Sequence, residues 1–349
     1  MVAGKNYLSP KNLQKDIFKY MLYLNVLKNP LYKGVFLKMK SYKDIFDSVL
    51  KEINKVVIGQ KSVIEQMLIC MLSNSNALLE GYPGLAKTLT AKTLAQVMDL
   101  KFSRIQSTPD LMPSDITGTY IIEEAGGKRS FKFQPGPVFA NIVLADEINR
   151  ATPKTQSALL EAMQEKQVTV GNSTFKLDLP FFVLATQNPI EQEGTYPLPE
   201  AQADRFLLKI KVDYPTIEEE DAIVNMYAGE IRDTKLKVLL NKSQLFNLQE
   251  AIRQVPIAND IKKRVLRLID ATRKNKQMIQ YGASPRASIG LILASKSRAL
   301  LNGKNYVSND DITEMAFPVL RHRIILNFEA ERKGMTTDDA IKDILGKVK

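Results

Sequence analysis

One cysteine, one histidine and no tryptophan occur in 349 residues, and each scarcity removes a class of protein. Cys70 alone cannot close an internal disulfide, so a disulfide-stapled fold is excluded and a reducing compartment fits. With His322 as the single imidazole beside that single thiol, the ligands of a structural zinc site are missing. His322 also stands between Arg321 and Arg323, which points to a packed or solvated side chain rather than an acid–base catalyst. No stretch approaches the roughly eighteen consecutive apolar residues of a membrane span. The most lipophilic early segment, Tyr20 to Leu27, is too short for one and lacks the small-residue cleavage site of a secretory leader. A cytoplasmic protein without membrane insertion is the expectation.

Hydrophobic residues at 44% and charged residues at 25% are ordinary for a soluble globular chain, and 349 residues suggest two domains. The formal charge of +11 raises nucleic acid as a partner, but its distribution argues otherwise. Residues 1–40 carry eight lysines against Asp16 alone, a net +7, and the remaining 309 residues carry only +4. The basicity belongs to an N-terminal extension, read as partly helical, outside the main fold and dispensable for any chemistry of the body, with Met39 as an alternative start.

The organising stretch runs from Leu78 to Met98. Ala77, Leu78 and Leu79 read as a buried strand, and Ala91, Leu94, Ala95 and Met98 recur at helical spacing behind a glycine-rich loop. The loop is Gly81-Tyr82-Pro83-Gly84-Leu85-Ala86-Lys87-Thr88, with Leu89 continuing into the helix. A strand, such a loop and a helix together form a phosphate cradle: backbone N–H groups converge on an anion at the positive end of the helix dipole. Lys87 would reach the outer phosphates and the Thr88 hydroxyl would ligate Mg²⁺. Ala86 replaces the glycine usual before the lysine but removes no N–H donor.

The rest of the chain alternates strands and helices and then becomes helical. Ile45, Val49 and Ile53 step by four, and Val63, Ile64, Met67, Leu68, Met71 and Leu72 make a core-facing helical stripe beside Cys70. Residues 101–106 are a second strand. Gly126-Gly127 and Gly171-Asn172 each divide two alternating runs, which predicts two hairpins. Residues 141–145 and 181–185 are continuous apolar strands buried on both faces, and 206–212 is the last strand. Thr152-Pro153 opens a helix, Thr216 with Glu219 forms a capping box, Ile289, Ile292 and Leu293 stripe a later helix, and Ser308 opens another. A parallel α/β domain followed by a helical lid, with the boundary near residue 215, is the fold these patterns imply.

Hydrolysis of ATP needs a metal-held phosphate tail, a positioned water and positive charge where the transition state gathers negative charge. Asp146, closing a buried strand, is placed to hold the Mg²⁺ shell, and Glu147 to polarise the water. Without a phosphate loop such an acidic pair would more often be a capping feature. Asn188, at a neighbouring strand end, can hold the same water, although an Asn-Pro turn alone also accounts for it.

The loop, Leu144-Ala145-Asp146-Glu147-Ile148-Asn149-Arg150-Ala151, Leu159 to Glu165, Ala185-Thr186-Gln187-Asn188-Pro189, Glu191 to Gln202 and Asp204-Arg205-Phe206 together resemble the MoxR family of AAA+ ATPases. The resemblance spans residues 41–349 and is most specific from 80 to 210. It implies residues 41–214 as a P-loop AAA+ parallel-sheet sandwich with two hairpin inserts, and residues 215–349 as an all-helical lid, with 1–40 as the basic extension. It further implies a ring, usually hexameric, with ATP between subunits. Arg205 then matches the finger that reaches the neighbour's γ-phosphate, unless it merely pairs with Asp204. Arg286, in Ser284-Pro285-Arg286-Ala287, matches the lid arginine that senses the nucleotide. Gly59 and Gln60 fall where the family wraps adenine, and the hairpins, near 118–134 and 167–180, would face the pore and touch a client. A chaperone-like ATPase acting on a protein client is the leading reading. A nucleic-acid motor is second: the tip Gly171-Asn172-Ser173-Thr174 offers no cation for phosphate, though Lys128 and Arg129 on the other hairpin do.

Overall fold

The computed structural model describes residues 30–125, 128–190, 194–228 and 234–348. The segment Tyr20 to Leu27, the turn Gly126-Gly127 and the motif residues Glu191, Gln192 and Glu193 lie outside the described residues.

In chain order the elements are α1 (Pro30–Ile53), α2 (Lys61–Leu72), β1 (Ala77–Gly81), α3 (Lys87–Val97), β2 (Phe102–Gln106), α4 (Pro113–Thr117), β3 (Gly118–Ala125), β4 (Lys128–Pro135), β5 (Ile142–Asp146), α5 (Pro153–Glu165), β6 (Gln167–Val170), β7 (Ser173–Lys176), β8 (Phe182–Gln187), α6 (Glu200–Ala203) and β9 (Leu208–Val212). Beyond them come α7 (Ile217–Tyr227), α8 (Lys242–Gln254), α9 (Asn259–Lys274), β10 (Ile279–Tyr281), α10 (Pro285–Leu301), α11 (Asn309–Leu320), β11 (Ile325–Leu326), α12 (Phe328–Arg332) and α13 (Thr337–Lys347). Since α1 runs through position 40, the border drawn there between extension and ATPase domain falls inside one helix.

Five parallel strands in the order β2-β5-β8-β1-β9 make the central sheet. All five residues of β5 are buried because both faces of the sheet are covered. Alternation sorts its side chains: Ile142 and Leu144 join α2, α3 and the lid helices in one core, while Val143 and Ala145 join α5 in the other. Each fully buried Leu or Ile there contributes about 1.5–3 kcal/mol. Cys70 is completely buried, and burial pushes its thiol up, so it is an inert core residue. Gly81 has a steric reason: a Cβ there would sit 2.5 Å from the Val212 carbonyl oxygen on β9.

Both predicted hairpins form, as β3–β4 and β6–β7. They are joined at the base, where the Phe133 and Phe175 rings stack with centroids 3.9 Å apart and planes at 10°. The Thr216–Glu219 capping box is present on α7.

Three local expectations are corrected. Thr152 precedes α5 without a side-chain cap, because its hydroxyl meets Thr155 instead. Residues after 215 are not purely helical: β10 and β11 form a short antiparallel pair, too brief to show a period of two. Ile289 is 62% exposed, and α10 buries Ala287, Gly290, Leu291 and Ala294 instead. The helix is wedged close against its neighbours, and small residues allow that approach: a Cβ on Gly290 would already lie 3.1 Å from Leu207.

Candidate nucleotide site

Because β1, β5 and β8 are parallel and adjacent, their C-terminal ends bring the glycine-rich loop, Asp146-Glu147 and Thr186-Asn188 to one edge of the sheet. Gly84 (φ 82°) and Ala86 (φ 54°) adopt left-handed backbone that curls the loop before α3. A Cβ on Gly84 would meet nothing within 4 Å, so conformation and not space selects glycine there. Ala86 carries the same turn at a cost of about 1–2 kcal/mol. Lys87 is half-buried, and its Nζ donates to the carbonyl oxygens of Gly81 at 2.6 Å and Tyr82 at 2.7 Å. Burial lowers its pKa, and the negative charges of Asp146 and Glu147 oppose that shift.

One hydroxyl organises the acidic pair. Thr186 Oγ1 donates to Asp146 Oδ1 at 2.6 Å and accepts the Glu147 backbone N–H at 2.8 Å. Glu147 itself has a left-handed backbone, φ 54°, which turns its side chain away from the strand direction. Its Oε2 accepts from Gln106 Nε2 at 3.3 Å and pairs with Arg150 Nε at 3.1 Å. The second oxygen of Asp146, Oδ2, accepts from Arg104 Nε at 3.1 Å and Nη2 at 2.5 Å. Arg104 Nη2 also donates to Gln106 Oε1. Asn188 is buried, and its Oδ1 takes the Ile190 N–H at 3.2 Å in the Asn-Pro turn. Its N–H₂ group bonds no other described residue and is the part available to a water.

Thr186, Arg104 and Gln106 escaped the sequence reading as functional residues. Arg104 and Gln106 flank buried Ile105, so the signal was polar alternation on a strand otherwise expected inside.

The residues present suit Mg²⁺. Among the described residues no group of three or more His, Cys, Asp or Glu could cage a metal. One carboxylate and the Thr88 hydroxyl remain, an all-oxygen set that a small hard cation completes with water and phosphate oxygens. On the other flank of the loop, Gly59 (φ 68°) and Gln60 (φ 57°) make a left-handed turn before α2. Gln60 Nε2 donates to the Asp213 carbonyl at 3.1 Å, and Tyr82 stacks on Tyr214 at 5.0 Å. These contacts build a wall between the α1–α2 turn and the end of β9.

Arg205 and Arg286 lie elsewhere. Leu207 N–H bonds the Asn76 carbonyl at 2.8 Å, and Leu208 pairs with Ala77. The Asp204–Leu207 segment therefore sits at the N-terminal edge of the sheet, about 13 Å of strand from Gly81. The alternative reading of Arg205, a pair with Asp204, is not formed among the described residues. Asp204 accepts from Ser284 Oγ at 2.9 Å, Arg323 Nε at 2.7 Å and Arg286 Nη1 at 3.4 Å. Arg205 Nε is buried and bonds no described residue. His322 Nε2 donates to the Phe206 carbonyl at 2.9 Å, so the lid clamps the strap behind Arg205.

Burial, seconded by the charge of Arg323, holds the His322 pKa well below its usual value, so the folded protein keeps it neutral. The unfolded chain takes that proton near about pH 6.5, so the folded state loses stability as pH falls below that point. Thermal melts between pH 7.5 and 5.5 should show a declining midpoint, and His322→Gln should flatten that decline.

The comparisons agree with this geometry. The family model "ATPase family associated with various cellular activities (AAA)" matches residues 76–208, and that of the AAA lid domain matches 271–344. Chaperone MoxR1 of Mycobacterium tuberculosis is 46% identical over 302 residues, covering 84% of this chain and 79% of that protein. Protein MoxR of Paracoccus denitrificans is 30% identical over 309 residues, covering 81% and 90%. A crystal structure from Cytophaga hutchinsonii, of a protein assigned as an ATPase, superposes with a TM-score of 0.85 at 46% identity, covering 91% of this chain and 98% of that one. The chain belongs to the MoxR family of AAA+ ATPases.

Proposed function

We propose that this ATPase works as a cytoplasmic ring, hexameric by family pattern, that remodels or matures a protein client in a chaperone-like way. Residues 41–214 form the ATPase domain and 215–349 the lid, with the basic residues 1–40 standing apart from the chemistry. The N–H groups from Gly81 to Leu89 cradle the phosphates, Lys87 neutralises the outer two, and Gly59, Gln60 and Tyr82 border the base. Mg²⁺, when bound between Thr88 and Asp146, supplies charge neutralisation at the phosphate oxygens. Glu147 accepts a hydrogen bond from the attacking water and polarises it, with the Asn188 amide fixing its position. No described helix is long and apolar enough to cross a membrane.

Arg205 and Arg286 cannot readily serve their own subunit's loop from the opposite edge of the sheet. Arg205 is instead presented to a neighbour, where it stabilises charge developing on the γ-phosphate, and Arg286 on the lid senses the nucleotide.

The observation that carries the client reading is the β3–β4 hairpin. Ile122 and Phe131 are cross-strand partners, 63% and 76% exposed, beyond the Phe133–Phe175 stack. An exposed apolar pair on a braced hairpin suits a protein segment. Nucleic acid is disfavoured because Arg129 and Lys132 are paired with Glu124 and Glu123 on the hairpin itself. Glu147→Gln protein with ATP should retain a client from its own cell lysate, and adding Ile122→Ser and Phe131→Ser should release it. Strong stimulation of ATPase by single-stranded DNA, with no client retained, would overturn the reading.

A further inference from the structure

We propose that Arg104 is a resident counter-ion that competes with the divalent cation for Asp146 and so sets the metal concentration at which the site loads; this rests on Asp146 holding the metal shell. A carboxylate oxygen has two lone pairs. On Asp146, Oδ2 already receives two N–H groups from one guanidinium, at 3.1 and 2.5 Å, and Oδ1 receives the Thr186 hydroxyl at 2.6 Å. Only one acceptor position remains on a carboxylate whose side chain is 12% exposed. A metal ion, or a water of its shell, must share that carboxylate with a fixed positive charge a few ångströms away, in surroundings that solvent only partly screens.

The arrangement is asymmetric in a way that permits exchange. Thr186 belongs to the adjacent strand and holds Oδ1 from within the core. Arg104 approaches from the other side, from β2, with its side chain 46% exposed, so that solvent can take up its guanidinium when a cation displaces it. Register places it: Gln106 is the Cα partner of Asp146, so Arg104, two residues earlier on the same face, reaches along the strand to the carboxylate. Arg104 also donates to Gln106, whose amide donates to Glu147 at 3.3 Å. Displacing Arg104 therefore frees one anchor of the residue that positions Glu147, and metal arrival is communicated to the water-polarising carboxylate. Arg104 acts here as a positioning residue.

The test is the Mg²⁺ dependence of nucleotide binding, measured with a fluorescent ATP analogue on the full-length protein, so that turnover is not the readout. Arg104→Met should lower the half-saturating Mg²⁺ on the order of tenfold, the scale of one nearby unit charge removed. Arg104→Lys should keep a threshold near wild type. In metal-free buffer Arg104→Met should melt at lower temperature, because Asp146 loses its partner, and Mg²⁺ with nucleotide should close the gap. If Arg104→Met does not fold, Arg104→Gln carries the same expectation. An unchanged or raised threshold in the neutral variant overturns the proposal. Asp146→Asn separates the two layers: if it weakens the Mg²⁺ dependence while Arg104→Met leaves it untouched, only the role of Arg104 fails. If Asp146→Asn has no effect either, the metal reading of Asp146 fails with it.

Discussion

Glu147→Gln should bind ATP with close to wild-type affinity and lose turnover by about 10²–10⁴-fold, the range that a positioned general base supplies. The amide keeps the size of the carboxylate and can still meet Gln106, but it cannot draw a proton from water. Its backbone is anchored independently of the side chain, since the N–H is held by Thr186 at 2.8 Å. Loss of activity can then be assigned to chemistry rather than to a collapsed strand end. Lys87→Ala provides the opposite defect. It removes the half-buried ammonium held by the Gly81 and Tyr82 carbonyls and should abolish ATP binding itself. Equilibrium binding and steady-state hydrolysis measured side by side distinguish the two. Wild-type hydrolysis by Glu147→Gln would remove that residue from its assigned role.

Arg205→Ala should leave ATP binding nearly intact and slow hydrolysis by on the order of 10³-fold or more, as expected when an arginine that neutralises transition-state charge is removed. The position of the residue argues for action across a subunit boundary. Its strap follows Asn76 and Ala77 at one end of β1, and the phosphate loop leaves the other. The lid residues Ser284, Arg286, His322 and Arg323 hold this strap through Asp204 and the Phe206 carbonyl. A shift of the lid would consequently move Arg205. Arg286 is half-exposed and lies 3.4 Å from Asp204.

Much of this architecture was legible in the chain because its signals are local. Buried strands such as β5 and β8 are unbroken apolar runs, and the loop from Gly81 to Thr88 lies between a strand and a helix in sequence as in space. The acidic pair was readable for the same reason, since it terminates one such run. What escaped depends on register between distant segments. Nothing near Arg104 in sequence reveals that β2 will lie beside β5 and set Gln106 against Asp146. Thr186 stood inside a recognised motif, yet its bridging of Asp146 and Glu147 arises only from strand pairing. Sequence left open whether Arg205 merely pairs with Asp204, because the arginine that packs against Asp204, Arg323, arrives from the far end of the lid. Helix α10 misled for a related reason: the apolar Ile289 is exposed, whereas alanine and glycine face the core where neighbours approach most closely.

The shared site is tested most directly by mixing two inactive proteins. Lys87→Ala has an empty cradle but an intact Arg205, and Arg205→Ala has the reverse. In mixed rings some interfaces place an intact cradle against an intact finger. ATPase activity measured across mixing ratios should be near zero for either protein alone and rise to a maximum at intermediate ratios. Activity that stays at the level of the separate variants, although mixed rings are shown to form, would contradict catalysis shared between subunits.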